Sequence, residues 1–328
     1  MKQISRYAYG NTRIRAMISK LLNEDFFARA ETTNLAGFIE ILRKTPYENI
    51  LETVGENIKP EDFELECRHN DREILKKIAK FYLSRNEKKL ILLLDERYTV
   101  EELKSSLRLW RKKSKINHPV EISGNFSSLS SAKTMDDVIN ILAALDYSAA
   151  LRKVRDDYLK LDSLFPVEIA IDTYYFEKLN TAIKDLNRLD KSIAKKIIGA
   201  EIDRENLLWL GRIQLYYKEQ ISGDIPGFIP GGCYISIEKL KQIFNNLESM
   251  KTIKIPQQYQ PIINLIPVNL EKMDELLKGI ILQQIRKSFV ESPFSIAVPL
   301  GYAFLKTAET KRIVSTFTLK YLSAVIYT

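Results

Sequence analysis

The sequence predicts an all-α protein made of three helical domains, and three observations support that prediction. Glycine and proline are scarce, 12 and 11 residues among 328, well below the roughly 12% share of an average globular chain, so little interrupts helices. Apolar residues recur at helical spacing behind good N-cap residues, in three places roughly 100 residues apart. Two clusters of turn formers separate those places. With 45% apolar residues and a net charge of +8, the chain has the composition to fold rather than stay disordered. Its 328 residues exceed the roughly 250–300 that one core serves well, so several smaller cores are expected.

The first stripe follows Asn34, where Leu35, Phe38, Ile39 and Leu42 stand at i, i+3, i+4 and i+7. The second follows Thr134, with Met135, Val138, Ile139 and Leu142, and the third follows Ser236, with Ile237, Leu240, Phe244 and Leu247. Between the first two, Ile39, Ile41, Leu42, Tyr47 and Leu51 match Ile139, Ile141, Leu142, Tyr147 and Leu151 at one offset. A second segment aligns Thr99, Glu101, Leu103 and Arg108 with Asp203, Glu205, Leu207 and Arg212. Thr99 and Asp203 read as N-caps, Thr99 with Glu102 as a capping box, so each repeat is expected to restart a helix there. Glu309, ahead of Ile313, Val314 and Phe317, stands near the matching cap position of a divergent third copy. Asn117-His118-Pro119 through Ser131, and Gly223 through Gly232, read as the loops that bound the units. The expected domains are therefore 1–118, 119–222 and 223–328.

Several function classes find no support in the residues. Two cysteines, Cys67 and Cys233, make neither a disulfide scaffold nor a metal-ligand spacing, and a reducing compartment is expected. Met1 to Gly10 lacks an apolar signal region, and the runs Leu90–Leu94 and Ile296–Leu305 are too short to span a bilayer, so neither secretion nor a membrane crossing is expected. Phosphate-loop, dinucleotide, nucleophile-elbow and zinc-helix motifs are absent, and the two histidines are His69 and His118. Cys67 and His69 beside Asn70 and Asp71 read as a polar loop, and Glu201 to Asn206 as caps and first-turn charges rather than a catalytic dyad. No catalytic, cofactor or metal site is expected.

The excess of base leaves nucleic acid, an anionic membrane surface and an acidic protein as possible partners. Arg108, Arg111, Lys112, Lys113 and Lys115 around Trp110 have the composition of a phosphate grip with a stacking ring. The preferred reading is a helix end, where cations meet the dipole and the indole faces the core. Arg108 and Arg212, at one repeat position, read as bonds to a carboxylate or a C-terminal carbonyl in preference to the lining of a shared surface. Tyr174-Tyr175-Phe176 reads as core.

Four segments together resemble one known family. Tyr9-Gly-Asn11-Thr-Arg13-Ile-Arg15, followed by Leu21-Leu22, resembles its N-terminal pattern, and Phe228-Ile-Pro-Gly-Gly232 its central loop. Ile202-Asp203-Arg-Glu-Asn206-Leu207 with Arg212 resembles a recurring element, and Ser292-Pro293-Phe294 leading to Tyr302, Lys306 and Glu309 resembles the C-terminal signature. The family is that of the C/AC39 subunit, also known by the letter d, of the archaeal and vacuolar type rotary ATPases. Two stretches depart from its pattern, Tyr98-Thr99 through Glu102 and Thr310-Lys311-Arg312-Ile313. The resemblance implies three pseudo-threefold-related helical domains forming a funnel. It also implies a non-catalytic rotor part on the cytoplasmic face of the membrane, a monomer within a multisubunit complex, with no cofactor and no nucleic acid. Such a part would sit on the membrane rotor ring of proteolipids (c/K/L), hold the D and F proteins of the central stalk, and transmit the torque that moves H⁺ or Na⁺. The membrane protein of the stator (a/I) is a further candidate contact. Arg13, Arg15, Arg108 and Arg212 are then candidate interface cations. The competing class is a helical-repeat scaffold that binds nucleic acid through Arg108 to Lys115.

Overall fold

A computed structural model describes the chain except for residues 1, 56–57, 83, 117–121, 123, 218–226, 246–254, 264, 266–268 and 327–328. Of the described residues 82% are helical and none lies in a strand. In chain order the helices are α1 (Lys2–Ile18), α2 (Glu24–Thr32), α3 (Leu35–Arg43), α4 (Glu48–Val54), α5 (Pro60–Ala79), α6 (Arg85–Ile116), α7 (Met135–Ile141) and α8 (Ser148–Lys153). They continue with α9 (Arg155–Leu161), α10 (Phe165–Lys184), α11 (Arg188–Tyr216), α12 (Ile237–Asn245), α13 (Gln260–Ile263), α14 (Leu270–Glu291) and α15 (Ala297–Ile326). No described helix is long and apolar enough to cross a membrane.

The chain divides into two units, one formed by Met1–Asp95 with Arg286–Thr328 and the other by Glu96–Ile285. In the first, Asn34 caps α3 by accepting the Gly37 N–H at 2.9 Å, and the stripe behind it turns Phe38 and Leu42 inward. They pack with Phe26 and Phe27 of α2, Phe63 and Cys67 of α5, and Ile313 and Phe317 of α15. The rings of Phe63 and Phe317 stack at 4.5 Å. A second cluster joins Tyr7 and Ile14 of α1 to Ile78, Tyr82, Val298 and Tyr302.

In the second unit Thr134 and Asp137 form a capping box at the start of α7, which buries Met135, Val138 and Ile139. Ser236 accepts the Lys239 N–H at the start of α12, and Leu240 and Ile243 enter the core beside Leu207, Leu210 and Met273. Leu247 lies outside the described residues, as do Asn117-His118-Pro119, positions 223–226 and both expected domain boundaries. Residues 124–131 form a 3-10 segment where a loop was expected. The alternation of buried, half-buried and exposed positions over 41–47 repeats residue for residue over 141–147.

Three expectations are corrected here. Thr99, Asp203 and Glu309 are not caps, since α6, α11 and α15 run unbroken through them. No glycine or proline stands in the seven residues before Thr99 or Glu309, so nothing stops the helix there. Gly199 stays helical ahead of Asp203 because a loop packs on it, and a Cβ there would meet the Cys233 Cβ at 2.9 Å. For the same reason Glu201 to Asn206 are mid-helix residues rather than first-turn charges. Cys67, His69, Asn70 and Asp71 lie on α5 and not in a loop, because Pro60 at its first turn and Glu61 and Asp62 beside it start a helix that continues through them.

Candidate functional site

The element Ile202 to Leu207 and the loop Phe228 to Gly232, separate in the sequence, meet in space. Asp203 is fully buried on α11. Its Oδ2 accepts the N–H groups of Cys233 at 3.1 Å and Tyr234 at 2.8 Å, and its Oδ1 accepts that of Ile235 at 3.2 Å. One turn on, Asn206 donates to the Ile229 carbonyl at 2.9 Å and accepts the Ile229 N–H at 2.8 Å. These side chains supply partners that an irregular backbone cannot find in a helix or sheet. Both glycines of the loop are required. Gly231 has φ +102°, where an L side chain is strained, and a Cβ on Gly232 would run into Asp203 Oδ1. Burial pushes the Asp203 carboxyl up to about 7, against the downward pull of its three backbone N–H bonds.

The other two long helices hold loops in the same manner with different residues. Glu102 of α6 accepts the Asn125 N–H at 2.9 Å and the Asn125 side-chain amide at 3.0 Å, beside Gly124 at φ +80°. Glu309 of α15 accepts the Leu22 N–H at 2.5 Å and the Tyr47 hydroxyl at 2.9 Å. The loops anchored by Glu102 and Asp203 lead into the stripes behind Thr134 and Ser236, whereas Leu22 leads into α2, one helix ahead of the stripe behind Asn34. Asn11, of the N-terminal pattern, donates to the carbonyls of Pro293 at 2.9 Å and Ser295 at 3.0 Å, both in the C-terminal signature. Tyr47 and Tyr147, matched by the repeat, behave alike: Tyr147 donates to Glu96 at 2.7 Å, and Lys306 and Lys178 lie over the two rings at 4.1 and 5.9 Å.

Within the second unit one face of α6 forms a row of ion pairs. Arg97 meets Glu201 at 2.8 Å, Lys104 meets Asp172 at 2.7 and 2.9 Å, and Arg108 grips Glu168 with a two-pronged contact at 2.6 and 2.8 Å. Arg204 of α11 adds Glu201, Glu205 and Asp274 at 3.1, 2.7 and 2.6 Å. Burial pushes the Asp172 carboxyl up to about 6 although Lys104 pulls it down.

The four candidate interface arginines have different surroundings. Arg13 is exposed on α1, donates to the Tyr9 hydroxyl at 2.6 Å, and has the rings of Tyr9 and Phe81 at 5.5 and 5.4 Å from its guanidinium. Arg15, also exposed, donates to the Phe289 carbonyl at 3.1 Å. Arg108 is engaged by Glu168, the internal carboxylate contact preferred from the sequence. Arg212, half-buried, lies 4.8 Å over the Trp209 ring. The basic run closes α6 as the helix-end reading expects. Trp110 is 2% exposed and donates its indole N–H to the Ala132 carbonyl at 3.0 Å. Arg111 bonds Asp162 and Lys113 the Ser130 carbonyl at 3.1 Å, while the Lys115 side chain lies outside the described residues. With its ring buried, Trp110 offers no stacking face to a base. Tyr175 and Phe176 are core residues.

The sequence model of the family described as ATP synthase (C/AC39) subunit matches residues 10–322. The chain belongs to this family. Curated relatives named as the C subunit of an A-type ATP synthase include those of Pyrococcus abyssi, 24% identical over 94% of this chain and 84% of its own, and Thermococcus onnurineus, 26% identical over 94% and 84%. That of Methanococcoides burtonii is 23% identical over 94% and 88%. Within this chain the three loop anchors Glu102, Asp203 and Glu309 are acids with different partners. Two of these acids read from the sequence as helix starts, and a cap reading leaves their loops unseen. For Glu102 and Asp203 a usable signal is present: an acid inside a long apolar-periodic segment, followed 22 to 29 residues later by a glycine turn, at Gly124 and at Gly231-Gly232. Glu309 has none, since its loop lies near the other end of the chain.

Proposed function

We propose that this family member is a non-catalytic central-rotor subunit that joins the central stalk to the membrane rotor ring on the cytoplasmic side. In this reading the three expected repeats, 1–118, 119–222 and 223–328, stand in pseudo-threefold relation and form a funnel that holds the D and F proteins of the stalk. Torque passes through it in either direction, coupling ATP hydrolysis or synthesis to H⁺ or Na⁺ transport. The observation that carries the reading is the family match over nearly the whole chain. The thrice-repeated loop anchor and the matching exposure profiles of 41–47 and 141–147 support the repeats. Stiffness, which torque transmission requires, follows from loops bonded to long helices rather than left free.

Arg13 leads the candidate interface cations, because aromatic rings hold its guanidinium while no carboxylate neutralises it among the described residues. Arg15, Arg108 and Arg212 follow with internal partners to exchange. The test is co-elution of the full chain with the D–F pair and, separately, with the detergent-solubilised ring. Wild type is expected to bind both without nucleic acid in the peak, and Arg13→Glu to weaken one of the two. Binding to neither overturns the rotor reading. Unchanged binding after charge reversal at all four arginines overturns the interface assignment alone.

A further inference from the structure

The first turns of α11 present an exposed arc with four cations and no acid. On a helical wheel Lys191, Lys195, Arg188, Ser192, Lys196 and Leu189 follow one another across about 160°, and each is exposed or half-buried. Asp190 points the opposite way, fully buried and bonded to Asn187. Lys184, exposed at the end of α10, adds a fifth cation beside the exposed Asp185. No ion pair engages the four cations of the arc among the described residues. This sets them apart from the basic side chains of α6, most of which meet a carboxylate or a carbonyl.

The residue types identify the partner. Three of the four are lysines, hydrated point charges without the fixed fork that reads a single carboxylate, and lysine is depleted where proteins bury surface against one another. A row of lysines over about 12 Å of helix suits a laterally extended layer of negative charge. Leu189, 43% exposed at the edge of the arc, supplies the apolar contact that an interfacial helix makes below the headgroups. We propose that the 188–196 face of α11 docks on anionic phospholipid headgroups. The proposal rests on the membrane-peripheral reading above and adds a direct lipid contact to it.

The full-length chain is sedimented with vesicles of phosphatidylcholine alone and of phosphatidylcholine with phosphatidylglycerol, over a range of salt. Binding is expected to the anionic vesicles only and to weaken as salt rises. At about fivefold per cation, Lys191→Gln with Lys195→Gln should weaken it roughly 30-fold, while Lys272→Gln with Lys287→Gln, exposed lysines elsewhere, should leave it unchanged. Absence of binding to anionic vesicles at low salt overturns the proposal, as does equal weakening by the two lysine pairs. So does a result in which the α11 variant loses the stalk pair or the ring but keeps the vesicles, which would make the face a protein contact. Because ring and stalk binding are scored separately, failure of the lipid contact is distinguishable from failure of the rotor reading.

Discussion

Asp203 accepts three backbone N–H groups, and of these donors only that of Cys233 has a second acceptor, the Gly199 carbonyl at 3.2 Å. Asp203→Ala should therefore cost about 2 kcal/mol or more, from the roughly 1–3 kcal/mol of each of the two buried donors, Tyr234 and Ile235, left without a partner, read as a lower urea midpoint. Gly232→Ala drives a methyl into the same carboxylate and should destabilise as well. Because the two changes damage one contact, the double variant should lose less than the sum of the singles. The cysteines separate by burial. Cys67 is fully buried and its thiol is driven well above the ordinary range, whereas Cys233 is half-buried. A thiol reagent should modify Cys233 in the native protein and Cys67 only on unfolding; equal rates would contradict the packing of α5. At this scale the sequence is legible where partners are local. Asn34, Thr134 and Ser236 bond within three residues, and their roles are readable. Asp203 bonds residues 30 to 32 positions away, which no cap rule reaches, and so it resembles a helix start.

Along α6 the ion pairs differ in depth, and so should their contributions. Lys104 and Asp172 are both shielded, with side chains 16% and 6% exposed. Lys104→Ala should cost about 3–5 kcal/mol by stranding a buried carboxylate, and Lys104→Met with Asp172→Leu should recover most of it. The Arg108 side chain is 58% exposed, so Arg108→Ala should cost about 0–1 kcal/mol. That contrast makes Arg108 variants usable in binding assays, and a loss of several kcal/mol there would refute it. The apolar stripes of α3, α7 and α12 are legible because a buried helix face repeats every three or four residues. The ion-pair row is legible on one side only. Arg97, Lys104 and Arg108 share a face by spacing, but their acids come from α10 and α11, and pairing between separate helices leaves no periodic trace.

For the whole protein, acid and base act through the two carboxyls that burial has raised. Asp172 and Asp203 stand at about 6 and about 7 against an ordinary 3.8. Between those values the folded chain binds more protons than the unfolded one, so their contribution to stability is largest near pH 4 and is lost as pH rises through 6 to 7. The urea midpoint should be higher at about pH 5 than at about pH 8, and Asp203→Asn should flatten that slope; a midpoint that rises with pH and ignores the substitution would contradict it. The all-α class and the family resemblance are legible in the residues, since helix-breaking residues are few and the quoted motifs cover nearly the whole chain. The division into two units is not, because it joins segments from opposite ends of the sequence.

That joining sets an order of events during synthesis. The α5 core around Phe63 and Cys67 closes on Ile313 and Phe317, yet the unit that contains it is interrupted by Glu96–Ile285. At about 5–20 residues per second, the first 95 residues wait roughly 10–40 s for the ribosome to deliver α15. During that interval half a core is open to water, to chaperones and to proteases, and the second unit has all of its chain before the first does. Ribosome-bound chains halted before position 286 should therefore carry a Cys67 thiol that reacts at once, and release of the finished chain should extinguish that reactivity.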